Sequence, residues 1–256
     1  MSEAPTAWVV VGVDCATQEE RTGLAYGELD ARGELELKRV TLGTAGESAA
    51  ATVAGWIDGA QRYVVALDAP LGWPQALADA LSDHRAGELI DTEAERLFRR
   101  DTDRFVQAQL GKLPLEVGAD RIARTARAAL ALLQEIRSAT RTPLPLAWEP
   151  GCASGAIEVY PAATLLSRGI SPAGYKGDSA AGRKTRAAIF ERLRPELRTS
   201  ISGELVAEDD NLLDALVGAV AAADFARGVA LPPPERARAE REGWIWFRGH
   251  GQQSLF

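Results

Sequence analysis

The sequence predicts an α/β fold, with five strands, flanking helices and a helical insertion over about residues 71–150. Three observations lead there. Residues 8–13 (WVVVGV) and 63–67 (YVVAL) are near-continuous apolar runs, as expected of strands buried on both faces. Residues 34–40 (ELELKRV) alternate polar and apolar with period two, the pattern of a half-exposed strand. Long stretches between the runs have helical composition. The 256 residues are 46% hydrophobic and 25% charged, which excludes global disorder and fits a single domain spanning 1–256.

The elements follow in order. The first strand, 8–13, stops at Asp14. Residues 22–29 (TGLAYGEL) form a second strand, and Asp30-Ala31-Arg32-Gly33 marks a turn into the third. Residues 47–61 have helical composition, and the strand at 63–67 ends at Asp68 before Ala69-Pro70. The block 71–150 is polar and helical. Within it, 120–137 carries Ile122, Ala126, Ala129, Leu133 and Ile136 on one face, an amphipathic helix. Residues 156–160 (AIEVY) form a fifth strand, stopped by Pro161. A helix follows, then a basic loop at 175–186, a helix over about 183–193, and a long helix over about 204–227 with Gly228 as its stop. Residues 244–247 (WIWF) form a short strand or a tail packed back on the fold.

Composition narrows the function. Lys and Arg number 29 against 36 Asp and Glu, a net charge of −7, which argues against a protein that coats duplex nucleic acid or an anionic membrane. Cys15 and Cys152 make neither a disulfide framework nor a metal cluster, and His84 and His250 are isolated. Cys15, beside Asp14 with no nearby His, reads as a small buried filler. The N-terminal apolar run is too short for a secretory signal. The stretch 212–223 is too short to span a bilayer. A soluble cytoplasmic protein is expected.

Acidic residues stand in unusual places. Asp14 and Asp68 each follow a buried strand. If those strands are neighbours and parallel, both carboxylates meet at one sheet edge, where sites form in open sheets. Asp214 interrupts LLDALVGAVAAA, a run that is otherwise apolar all round and therefore buried. A lone buried carboxylate is costly, so its partner must come from elsewhere in space. Asp210 lies one turn earlier on the same helix face, and Glu158 sits inside the fifth strand. Each acid has an ordinary alternative: Asp14 and Asp68 as turn formers or caps, Asp209 and Asp210 as complements to the helix dipole, Glu158 as a structural acid. Together, carboxylates without basic partners suit a hard divalent cation, Mg²⁺ or Mn²⁺.

The segments VVVGVDCAT (9–17), VVALDAPLGWP (64–74), RRDTDRF (99–105), GKLPLEVGADRI (111–122), IEVYPAATL (157–165), YKG (175–177) and DDNLLDALVGAVAA (209–222) resemble uncharacterised domain family 429, a group regarded as RNase H-like nucleases. The resemblance covers almost the whole chain. It implies an RNase H-like fold with a mixed five-stranded sheet. It also implies an acidic metal site at Asp14, Asp68 and Asp214, with Glu158 as a possible addition. The stretch from Asp210 to Asp214 looks like the acidic C-terminal helix of resolvase-type members of that superfamily. One departure is Asp68, where the resolvase branch carries Glu.

These readings give a metal-dependent phosphodiesterase or nuclease as the expected function. Asp14, Asp68, Asp214 and Glu158 are its catalytic candidates, and Asp14, Asp68, Asp214 and Asp210 its metal ligands. Arg100, Arg104, Lys112, Lys176 and Lys184 are the candidates for holding phosphates. The net charge favours a single-stranded, branched or small nucleotide substrate over plain duplex. Two alternatives stay open. One is a non-catalytic nucleic-acid or protein binding module of the same fold. The other is an ATP-dependent phosphotransferase of the actin-like type, which would carry a Gly-rich phosphate turn that Asp14-Cys15-Ala16-Thr17 lacks.

Overall fold

In the computed structural model, which describes residues 7–44 and 46–249, the sheet grows outward from β1 (Trp8–Asp14). This strand pairs antiparallel with β2 (Gly23–Leu29), which pairs antiparallel with β3 (Leu35–Leu42). On its other side β1 pairs parallel with β4 (Tyr63–Asp68), and β4 pairs parallel with β5 (Gly155–Glu158). The sheet is mixed, and among the described residues it has six strands rather than five. The sixth, β6 (Leu197–Arg198), adds parallel to β3 and completes the order β5-β4-β1-β2-β3-β6. Two residues are too few to leave a periodic signal, so this strand was not legible in the sequence.

The alternation of β1 feeds two cores. Val10 packs with Val64, Ala66 and Ile157 on one face, and Val11 and Val13 pack with Val65 and Leu67 on the other. The second face is covered by α1 (Ala49–Ile57), whose Ser48 side chain accepts a hydrogen bond from the Ala51 amide at 3.1 Å and caps the helix.

The block 71–150 contains α2 (Gln75–Leu81), α3 (Ala94–Phe98), α4 (Asp101–Leu110) and α5 (Asp120–Ala139). The helical content is as predicted, but the block is more than an insertion. Ala129, Leu133 and Ile136 of α5 join α1 in the same core as Val11, Val13 and Leu67, so this helix forms part of the layer that covers the sheet.

The C-terminal half supplies α6 (Pro161–Leu166), α7 (Ala180–Leu193), α8 (Gly203–Glu208), α9 (Asp210–Ala226) and α10 (Arg236–Glu242). The single helix expected over 204–227 is two. Asp209 between them has an extended backbone, and its carboxylate accepts the Asn211 amide at 2.7 Å. It caps α9, and the chain breaks there. Gly228, at φ +77°, ends α9 as its sequence signal predicts.

Helix α9 lies directly on the first face of the sheet, and two glycines permit the approach. A Cβ on Gly12 would overlap the backbone of Ala215 and Ala219, and one on Gly23 would overlap that of Asn211. The apolar flank of α9 (Leu213, Leu216, Val217, Val220) fills the core between helix and sheet. The tail at 244–247 packs back as expected: Ile245 bridges Glu158 in parallel, and the Trp246 amide donates to the Glu158 carbonyl at 2.9 Å. No helix among the described residues is long and apolar enough to cross a membrane.

Candidate metal centre

Asp14 and Asp68 close their strands as direct partners in the β1–β4 register. The two carboxylates therefore emerge side by side at the carboxyl edge of the parallel pair, as the sequence suggested. Helix α9, held down over Gly12, brings Asp214 to the same point. One carboxylate oxygen from each of the three residues lies within 4.8 Å of the others. Asp14 is 8% exposed and Asp214 fully buried, while Asp68 is half-buried.

The partner that Asp214 needs comes from the loop 175–177. The Tyr175 hydroxyl donates to Asp214 Oδ1 at 2.7 Å, and Lys176 Nζ donates to Oδ2. Asp210 does not enter the three-carboxylate cluster. Its Oδ2 accepts the Gly177 amide at 3.2 Å and stands 3.8 Å from Lys176 Nζ, so it anchors the loop rather than the cluster. Arg186 supports this loop from beneath. Buried on α7, it donates to the carbonyls of Tyr175 at 2.6 Å, Gly177 at 2.8 Å and Ala207 at 2.8 Å. In the sequence Arg186 belongs to a basic stretch, and Tyr175 carries no signal outside its motif. An Arg that satisfies backbone carbonyls has the same local sequence as a solvated one.

By contrast, no donor among the described residues hydrogen-bonds the carboxylates of Asp14 or Asp68. Every fully sealed side-chain polar atom among those residues is partnered, so these oxygens open onto a cleft of about 320 Å³. Burial, then the charges of Asp214 and Asp68, push the Asp14 carboxyl well above its ordinary range, with Lys176 opposing. Asp68 is raised in the same way by burial and Asp214. Asp214 is also raised by burial, against the pull of Lys176 and Tyr175. Burial, followed by the charges of Asp68 and Asp214, takes the Tyr160 phenol at the cleft wall up to about 12. Burial and the charges of Asp14 and Asp68 hold the Cys15 thiol protonated, in keeping with a filler.

Several predicted site residues have other work. Glu158 lines the cleft, but its oxygens are taken. Oε1 pairs with Arg100 at 2.8 Å, and Oε2 accepts from Arg100 at 3.0 Å and from the Leu71 amide at 2.9 Å. Arg100 is correspondingly not a free phosphate ligand: it is buried and also pairs with Asp103 at 2.9 Å. The pair ties α4 to β5, and a charge with no local partner in sequence looks identical to a catalytic one. Arg104 pairs with Asp101 and donates to the Arg99 carbonyl at 2.9 Å, away from the cleft. Lys184, on α7, lines a separate surface pocket together with Asp178 and Glu208, and Lys112 is exposed outside the cleft lining. Of the five basic candidates, Lys176 reaches the acidic centre, as a partner of Asp214. His84 is half-buried and contacts the Glu88 carbonyl, Cys152 is exposed, and His250 lies outside the described residues.

The chain belongs to the family described as protein of unknown function, DUF429, whose model matches residues 12–238. No curated protein and no solved structure matches it.

Proposed function

We propose that this chain is a divalent-metal-dependent phosphodiesterase, a nuclease of the RNase H-like kind that acts on nucleic acid or nucleotides in the cytoplasm. The observation that carries this reading is the convergence of Asp14, Asp68 and Asp214 within 4.8 Å beside a cleft that Asp14 and Asp68 line, those two with no hydrogen-bond donor among the described residues. An all-carboxylate set is a hard donor set, suited to Mg²⁺ or Mn²⁺ rather than to metals that favour thiolate or imidazole. A bound ion supplies Lewis-acid stabilisation of charge on a phosphoryl group.

The chain's own residues have definable tasks. Asp14, Asp68 and Asp214 would hold the ion. Tyr175 and Lys176 fix the orientation of Asp214, and Arg186 fixes the loop that carries them. Tyr160 keeps its proton at neutral pH and offers a hydrogen-bond donor at the cleft wall. In the hydrolysis, a water oxygen bonds to phosphorus and the P–O bond to the leaving alcohol breaks. The leaving oxygen takes one proton and the other passes to solvent.

The test incubates pure protein and Mn²⁺ with end-labelled single-stranded, duplex and branched DNA and RNA, beside Asp14→Asn prepared identically. Cleavage by the wild type, reduced at least about a hundredfold in the variant, is expected. Equal cleavage by both proteins, or none by either, contradicts the reading.

A further inference from the structure

The cleft above the acidic centre is small and poor in available positive charge. Its floor is Asp14 and Asp68. One wall is Tyr160, beside Val159 and Pro161. The block between β4 and β5 adds apolar lining: Pro114 and Leu115 in the loop before α5, and Ile122 on its first turn. Leu115 is 67% exposed, a large apolar side chain held at the mouth. The volume, about 320 Å³, lies at the small end of ligand pockets, which run from roughly 300 to 1,000 Å³.

The lining carries three carboxylates, Asp14, Asp68 and Glu158, against two cations, Arg100 and Lys176. Both cations are already ion-paired. A nucleic-acid strand brings a phosphate at every step and is held by a basic groove with stacking platforms. Neither Lys112, Arg104 nor Lys184 extends the lining into such a groove. Asp14, nine-tenths buried and without a donor among the described residues, faces a space that suits one phosphate at the floor and an apolar or flat group against Leu115 and Ile122.

We infer that the cleft takes a small phosphoester, about the size of one or two nucleosides with a single phosphate at the acidic centre, rather than a running strand. The inference rests on the metal-dependent reading above. Binding then comes from the ion at one end and from apolar contact with Leu115 and Ile122 at the other. A longer chain leaves its flanking phosphates with no counter-charge.

Two measurements test it. The first compares kcat/KM per scissile bond, in Mn²⁺, for the dinucleotide thymidylyl-thymidine and for a long oligothymidylate. The second follows thermal unfolding in Mn²⁺ with and without thymidine 5′-monophosphate, for the wild type and Leu115→Asp, a change at an exposed site. The dinucleotide is expected to be favoured at least about tenfold, and the monophosphate to raise Tm in the wild type more than in Leu115→Asp. Asp14-dependent cleavage of the long strand at an equal or higher rate overturns the inference and leaves the phosphodiesterase standing. A monophosphate shift sensitive to Leu115→Asp without hydrolysis of either substrate keeps the small-ligand cleft and removes the enzyme. No hydrolysis and no shift overturns both.

Discussion

Asp14 and Asp68 are register partners at the ends of two neighbouring parallel strands, and Asp214 of α9 closes the group to within 4.8 Å. Strand pairing forces the first two carboxylates together, and packing against a Cβ-free residue, Gly12, brings in the third. Lys176 neutralises Asp214, yet no donor among the described residues reaches the other two acids. Without a cation the fold therefore contains electrostatic repulsion that a cation would relieve.

That repulsion sets a pH dependence. In the folded chain Asp14 and Asp68 titrate above the ordinary aspartate value of 3.8. From about pH 4 up to their raised values, the native state retains protons that the unfolded chain has released. Their contribution favours folding at low pH and is lost as pH rises through the raised values. Urea midpoints of metal-free protein should show wild type losing stability relative to Asp14→Asn as pH rises from 4 towards neutrality. At neutral pH the variant should be the more stable by about 1 kcal/mol, roughly 2–4 °C in Tm. An Asp14→Asn protein that is less stable at neutral pH would identify Asp14 as a structural cap.

Arg100 is predicted to act through stability. Arg100→Ala leaves Glu158 and Asp103 buried without their cation, a loss of about 3–5 kcal/mol in chemical denaturation. The double change Arg100→Met with Glu158→Leu removes one charge of each sign and should recover part of that loss. If Arg100→Ala is as stable as wild type, the ion pair does not tie α4 to the sheet.

Gly12→Ala tests the seating of α9. The new methyl meets the backbone of Ala215 and Ala219, where no side chain can yield. We expect a loss of about 1–3 kcal/mol, because overpacking moves the helix. Asp214 should move with it, so the variant's response to Mn²⁺ should weaken more than its fold does. An unchanged metal response would show that the position of Asp214 does not depend on this contact.

The parts of this molecule that were legible in its sequence are those written as local patterns. The apolar runs of β1 and β4, each closed by an Asp, located both strands and two of the three acids. Asp214 was legible because it is the one charge in the apolar run 212–223, where it can act neither as a cap nor as a turn former. What was hidden depends on non-local geometry. The two-residue β6 has no period, and the break at Asp209 is a capping event inside a continuous helical composition. Glu158 and Arg100 lie 58 residues apart, and each alone resembles a site residue until the fold pairs them. Arg186 reads as surface charge until the loop 175–177 wraps over it.

The most direct test of the metal centre is calorimetric titration of Mn²⁺ into metal-free wild type, Asp14→Asn and Asp214→Asn, with thermal unfolding of the same samples. Saturable binding by the wild type is expected. At a free ion concentration of about a hundred times Kd, linkage stabilises the fold by about 2.7 kcal/mol. Both variants should lose the binding and the stabilisation while remaining folded. Folded wild type that shows no saturable Mn²⁺ binding, or binding that survives in both variants, would contradict a metal centre at Asp14, Asp68 and Asp214.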